Sequence, residues 1–172
     1  MVPLWYQKNP HFIGRTDLLQ TLRDKLCHEK PQEFNHRVAL FGMGGVGKTQ
    51  VAIEYVVRYK HEYNAVFWIS ASDLASLLLG FQEIANVTNC VDPNSDATSL
   101  ASEVLKWLNV QSLWLLVMDN VEDISILTGY LPDVATGEGH LLITTRDPNA
   151  TGISAQGLEV YWTVKQPQIC FY

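Results

Sequence analysis

Eight consecutive residues, Gly42-Met43-Gly44-Gly45-Val46-Gly47-Lys48-Thr49, put three residue types where polyphosphate chemistry needs them. Glycines let the backbone curl until successive N–H groups face one point, where phosphate oxygens would sit. Lys48 would bring an ammonium between the β- and γ-phosphates, and the Thr49 hydroxyl is a hard oxygen ligand for Mg²⁺. A helix opening here adds the partial positive charge of its N-terminus. The spacing is that of GxxxxGK[ST], a P-loop. A plain glycine-rich turn would leave the adjoining Lys and Thr unexplained. The residues expected to hold the nucleotide here are Gly42, Gly44, Gly45, Val46, Gly47, Lys48, Thr49 and Gln50, with ATP or ADP and Mg²⁺ as the ligands.

Two further positions fit the same chemistry. Trp114-Leu115-Leu116-Val117-Met118-Asp119 is an apolar strand ending in a carboxylate, the Walker B pattern. Asp119 would hold Mg²⁺ beside Thr49, through a water. Asn120 follows, where many ATPases carry a second carboxylate to polarise the attacking water, and an amide cannot act as a base. Glu122 and Asp123 read better as acids in the first turn of a helix. Hydrolysis is therefore expected to be slow or to need help. Leu141-Leu142-Ile143-Thr144-Thr145-Arg146 places an arginine just past a buried strand. It could reach the γ-phosphate as a sensor or pair with Asp147 at the surface, and the strand pattern does not choose.

These residues must be positioned by the elements around them. Residues 16–29 predict an amphipathic helix, with Leu18, Leu19, Leu22 and Leu26 on one face, Thr16 as its cap and Pro31 beyond its end. Residues 37–41 predict a buried strand stopped by Gly42, and residues 47–60 the helix after the P-loop. Residues 65–69 predict a second strand. A helix capped by Ser72 follows, with the stripe Leu74, Leu77, Leu78, Phe81 and Ile84. The loop 92–95 leads to a helix near 97–109. Strands are predicted at 113–118, 140–145 and 158–164, with a short helix near 122–129. Strands that are continuous apolar runs alternating with helices imply α/β architecture, a parallel sheet covered on both faces. Ligands bind such sheets beyond the carboxyl ends of the strands. The P-loop, Asp119 and Arg146 all fall there.

The totals bound the function. The 172 residues suit one domain, divided here into an N-terminal segment and helix (1–36), a nucleotide-binding core (37–164) and an atypical tail (165–172). With 47% hydrophobic and 17% charged residues the chain can bury a core. A net charge of −6 argues against sequence-independent nucleic-acid binding. Cys27, Cys90 and Cys170 form no CxxC pair, which suits a reducing compartment. His11, His28, His36, His61 and His140 show no metal spacing and read as surface residues. The absence of a leader-like N-terminus or a run of about 20 apolar residues predicts a cytoplasmic protein with no membrane partner. Neither NKxD nor a following DxxG is present, which argues against a GTPase, and no arginine-rich lid suggests a small-molecule kinase. Trp68, Trp107, Trp114 and Trp162 read as packing residues.

Taken together, Phe12-Ile13-Gly14-Arg15 with its helix, the P-loop, Val66-Phe67-Trp68-Ile69, Leu-Leu-Val-Met-Asp-Asn and Leu-Leu-Ile-Thr-Thr-Arg-Asp resemble the NB-ARC domain of STAND-class P-loop NTPases. That family includes plant disease-resistance proteins, apoptosome scaffolds and fungal NLR-like proteins, and the wording is most similar to the fungal members. The resemblance covers roughly residues 10–160. It implies a three-layer fold with strand order 5-1-4-3-2 and Ile13 and Arg15 against the adenine. It makes Arg146 the sensor, so that Lys48, Asp119 and Arg146 carry the phosphate chemistry. ADP-for-ATP exchange would switch the protein between closed and assembly-competent states. The family's helical domain with its Gly-Leu-Pro-Leu motif and its winged helix are not present in these 172 residues, and the terminal segment from Lys165 departs from the family pattern. The resemblance therefore implies a truncated relative of a longer, oligomerising protein. The alternatives are an active Mg²⁺-dependent ATPase and a degenerate, nucleotide-free interaction fragment.

Overall fold

Four short apolar runs and a fifth, more polar one become five parallel strands in the computed structural model, which describes residues 10, 12, 14–27, 36–92, 96–134, 139–149 and 155–161. The strands are β1 (Arg37–Phe41), β2 (Ala65–Ser70), β3 (Trp114–Val121), β4 (Gly139–Thr145) and β5 (Gln156–Glu159). Their order across the sheet is β2-β3-β4-β1-β5, and every neighbouring pair is parallel. This is the expected order. The helices are α1 (Thr16–Leu26), α2 (Lys48–Tyr59), α3 (Leu74–Thr88) and α4 (Ala97–Leu108), with 3-10 turns at Lys60–Glu62 and Ile124–Leu127.

Strand side chains alternate between the two faces, and here both faces are buried, so the strands show no polar alternation. On one side Phe67, Ile69, Leu116, Met118, Leu141 and Ile143 pack against Leu77, Phe81 and Ile84 of α3 and Val104 and Leu108 of α4. On the other, Val38, Leu40, Trp68, Leu115, Val117 and Leu142 meet Leu19, Leu22 and Leu26 of α1 and Val51, Tyr55 and Val56 of α2. The result is three layers. Trp68 and Trp114 are buried and Trp107 packs against the first cluster, so these three are packing residues.

Several expectations need correction. Thr16 does not cap α1. The cap position is Arg15, in a left-handed conformation and without a side-chain cap bond. Helix α3 is capped by Asp73, whose Oδ1 accepts from Ser76 N at 2.8 Å, and Ser72 is not the cap. Asp has the reach to satisfy an orphan N–H of the first turn at that place. Leu74 is exposed, three residues ahead of Leu77, where the buried stripe begins. Asp119 lies inside β3, not at its end, because the strand continues through a register shift between Met118 and Val121. Strand β5 runs Gln156–Glu159 against the expected 158–164, so it starts two residues early and has already ended at Val160 and Tyr161. His36 and His140 are not surface residues. Their rings stack at 5.4 Å, and His140 Nδ1 meets the Tyr63 hydroxyl at 2.8 Å. Expectations for Ile13, His11, His28, Pro31, residues 93–95, Trp162, the fifth strand beyond 161, Cys170 and the tail from Lys165 lie outside the described residues.

Candidate functional site

The carboxyl ends of β1, β3 and β4 lie side by side, so the sheet itself assembles the site. From β1 the chain turns at Gly42, runs through the P-loop and enters α2 at Lys48, with Gly47 at the cap position. Gly45 and Gly47 adopt φ of 77° and 92°, backbone that L side chains disfavour. Gly42 is needed for another reason: a Cβ there would lie 2.3 Å from the Val160 carbonyl oxygen. Lys48 Nζ donates to the carbonyls of Gly42 (2.7 Å) and Met43 (2.9 Å), drawing the side chain back over the loop.

Thr49 Oγ1 donates to Asp119 Oδ1 at 2.8 Å, joining the start of α2 to β3. The same carboxylate oxygen accepts from Thr144 Oγ1 at 2.5 Å, and Thr144 Oγ1 in turn accepts from Asn120 N at 2.9 Å. Thr144 was missed from the sequence. It is 1% exposed, and its hydroxyl is the partner of a backbone N–H displaced where β3 shifts register and Asn120 takes φ of 61°. The signal was legible in principle, because a polar residue in an otherwise apolar buried run needs a buried partner.

Gly44, Gly45, Gly47, Lys48, Thr49, Gln50, Asn120, Thr144, Thr145 and Arg146 line one cleft of about 230 Å³. Gly42 and Val46 do not line it: Gly42 abuts Val160, and Val46 is buried toward α1 and α2. The Arg146 guanidinium faces the loop, since a Cβ on Gly44 would lie 3.5 Å from its Cζ. Asp147 accepts from Asn149 N at 2.8 Å instead. Burial first, and Arg146 second, hold the Lys48 ammonium below the usual lysine pKa, while Asp119 opposes them. Two cations that disfavour each other across a cleft are relieved by an anion between them. Hydroxyl and carboxylate oxygens are the hard donors Mg²⁺ takes. The residues present thus fit a magnesium–polyphosphate group.

Arg15 is not part of this cleft. Its Nη2 donates to Val46 O at 2.9 Å and to Tyr161 O at 3.3 Å, on the outer side of the loop. A larger cavity of about 510 Å³ lies between β2 and α3, lined by Ile69, Leu79, Gly80 and Val87 among others. Its walls are mostly apolar, and none of the residues bearing on phosphate chemistry reaches it. Size alone would select the wrong cavity. Chemistry favours the smaller one.

Comparison with known proteins bears on the family and the fold. The family model for the NB-ARC domain matches residues 15–165. A nucleotide-binding leucine-rich repeat (NLR)-like protein of Hyaloscypha variabilis is 32% identical over 170 residues, covering 87% of this chain and 17% of the relative. This chain therefore spans about a sixth of that relative's length. Among solved structures, Cdc6p of Pyrobaculum aerophilum matches with a TM-score of 0.61 at 18% identity, over 88% of this chain and 48% of that one. The Aeropyrum pernix ORC1 protein, solved in complex with DNA, matches at 0.60 and 15% identity, over 94% and 48%. The Aeropyrum pernix ORC2 protein, solved as ADPNP and ADP complexes, matches at 0.53 and 16%, over 90% and 50%. At these identities the structures share the fold alone.

Proposed function

This chain belongs to the NB-ARC domain family, and from that premise we propose that it is the ADP/ATP switch of an NLR-like signalling protein, turning nucleotide over slowly or not at all. The observation that carries the reading is the Thr49–Asp119 contact of 2.8 Å, beside a loop whose own lysine shares one cleft with Arg146. Thr49 and Asp119 would hold Mg²⁺, Lys48 would bind the phosphate tail, and Arg146 would register the γ-phosphate. When bound, Mg²⁺ would neutralise charge on the β- and γ-phosphate oxygens. Ile13 and Arg15 were expected against the adenine. Ile13 lies outside the described residues, so base selection is carried by the family resemblance.

The slow turnover rests on Asn120. It is among the residues that line the cleft, next in sequence to Asp119, where many ATPases carry the base, and its backbone is held by Thr144. An amide can orient a water but cannot take its proton. Such a protein binds, waits and signals. Among the described residues no helix is long and apolar enough to cross a membrane. Cys27 and Cys90 are free thiols, which supports a cytoplasmic setting. Assembly into oligomers is proposed for the longer protein.

A fluorescent ADP analogue titrated with Mg²⁺ tests binding. Wild type should bind at micromolar concentration, and Lys48→Ala should weaken binding about a hundredfold through loss of its charge-assisted contacts. No binding up to millimolar concentration would leave an interaction fragment. Single-turnover hydrolysis tests the switch. Asn120→Asp keeps a residue type that tolerates a left-handed backbone and supplies a carboxylate, so its rate should rise about tenfold or more. Wild-type turnover above about 1 s⁻¹, abolished in Lys48→Ala, would make the protein an ATPase and overturn the switch.

A further inference from the structure

A P-loop can point its N–H groups inward only if its carbonyls point outward, and outward carbonyls need partners. In this chain two cations supply them. Lys48 takes the carbonyls of Gly42 and Met43 at the front of the loop. Arg15 takes the Val46 carbonyl at the back, from a different part of the chain. The same Nη2 reaches Tyr161 O at 3.3 Å, just past the end of β5. Its Nη1 lies 3.4 Å from where a Cβ of Gly47 would stand, so the guanidinium lies close against the loop.

The backbone that delivers this side chain is unusual. Gly14 and Arg15 have φ of 79° and 57°, both left-handed. A helix cap position is normally extended and carries a small polar side chain that bonds the first turn. Arg15 does neither, and only its carbonyl serves the helix, accepting from Leu19 N at 3.0 Å. A disfavoured backbone at an arginine persists where the side chain gains from being aimed. Arginine suits the task because one planar group with several fixed N–H bonds can serve two carbonyls. A second contact ties the same places together. Val160 N donates to Phe41 O at 2.8 Å, and Gly42 is pressed against Val160 O.

The geometry points to Arg15 as a positioning residue that holds the P-loop from its outer side and links it to the chain leaving β5. The start of α1, the phosphate loop and the exit of β5 then move as one unit. Whatever changes the path of the chain after residue 161 changes the loop that grips phosphate. The affinity part of the test rests on the phosphate-binding reading, and the exchange part does not.

The experiment compares the full chain with Arg15→Ala and Arg15→Lys. Amide hydrogen exchange is followed at residues 44–47 and 160–161, and affinity is measured for Mg·ATP and for inorganic tripolyphosphate, which has no base. In Arg15→Ala, both segments should exchange faster, and both ligands should weaken by the same factor, about tenfold. Arg15→Lys should recover part of each change. If ATP weakens while tripolyphosphate does not, Arg15 touches the base and the proposal is wrong. Unchanged exchange in Arg15→Ala also overturns it. If wild type binds neither ligand, the nucleotide reading fails, and the exchange data still decide the clamp.

Discussion

Replacing Thr144 by valine removes one hydroxyl and keeps the shape, so its effect isolates the hydrogen bonds that no reading of the sequence supplied. The hydroxyl donates to the Asp119 carboxylate at 2.5 Å and accepts from Asn120 N at 2.9 Å, at a position 1% exposed. A hydrogen bond to a charged group contributes about 1.5–3 kcal/mol, and an orphaned buried N–H costs about 1–3 kcal/mol. The methyl that replaces the hydroxyl returns about 0.8 kcal/mol of burial. The net loss should be about 3 kcal/mol. For a chain of this size that lowers Tm by roughly 6–12 °C. Urea unfolding should show a lower midpoint with an unchanged slope. Thr144→Ser, which keeps the hydroxyl, should stay within about 1 kcal/mol of wild type. Binding supplies a second readout. If Thr144 fixes the carboxylate that would hold Mg²⁺, the valine variant should lose most of the Mg²⁺-dependent gain in ATP affinity and keep its Mg²⁺-free affinity. Stability within about 1 kcal/mol of wild type, or an intact Mg²⁺ effect, would refute the reasoning.

Helix propensity alone says that Gly80→Ala should stabilise α3 by about 1 kcal/mol. The new Cβ, however, would lie 2.4 Å from Ile69 Cγ2 and 3.0 Å from its Cβ, so a net loss of about 2 kcal/mol is expected in thermal unfolding, and a rise in Tm would show the contact to be soft. Burial first, and His36 second, push the His140 pKa down from its ordinary 6.5 to about 4. The unfolded chain therefore takes up this proton first, and stability complete above about pH 6.5 should fall by up to about 3 kcal/mol as pH drops toward 4. His140→Gln should lose that component, and equal pH slopes in urea unfolding of the two proteins would exclude His140 as its source. Asp73→Ala should lower the thermal-unfolding midpoint and Ser72→Ala should lower it less, the reverse order being evidence against the cap seen here.

The P-loop was legible because its chemistry is local: glycines, a lysine and a threonine in one short run can have few other uses. Four of the strands were legible for a similar reason, whereas β5, the partly exposed run Gln156–Glu159, shares only two residues with the expected 158–164. Runs such as Leu115–Met118 and Leu141–Ile143 are buried on both faces and carry no polar alternation to confuse them. Strand order entered through the family resemblance, since no spacing along the chain says which strands are neighbours. Other features were not legible, because they depend on residues far apart in sequence. Thr144 shows in the sequence only that a buried hydroxyl needs a partner, and which partner is settled when the sheet sets it beside Asp119 and a register shift frees an N–H for it. His140 reads as a polar surface residue until stacking with His36 and a bond to Tyr63 enclose it. Arg15 entered only through the family resemblance, and only in the fold do two left-handed residues aim its side chain at Val46 and Tyr161, 31 and 146 positions away. By itself the sequence determined the layered fold class and the presence of an anion-gripping loop, because periodicity and motif spacing act over a few residues. The tertiary structure alone decided which side chains hold that loop and its carboxylate in place, because those partners meet only when distant strands pack.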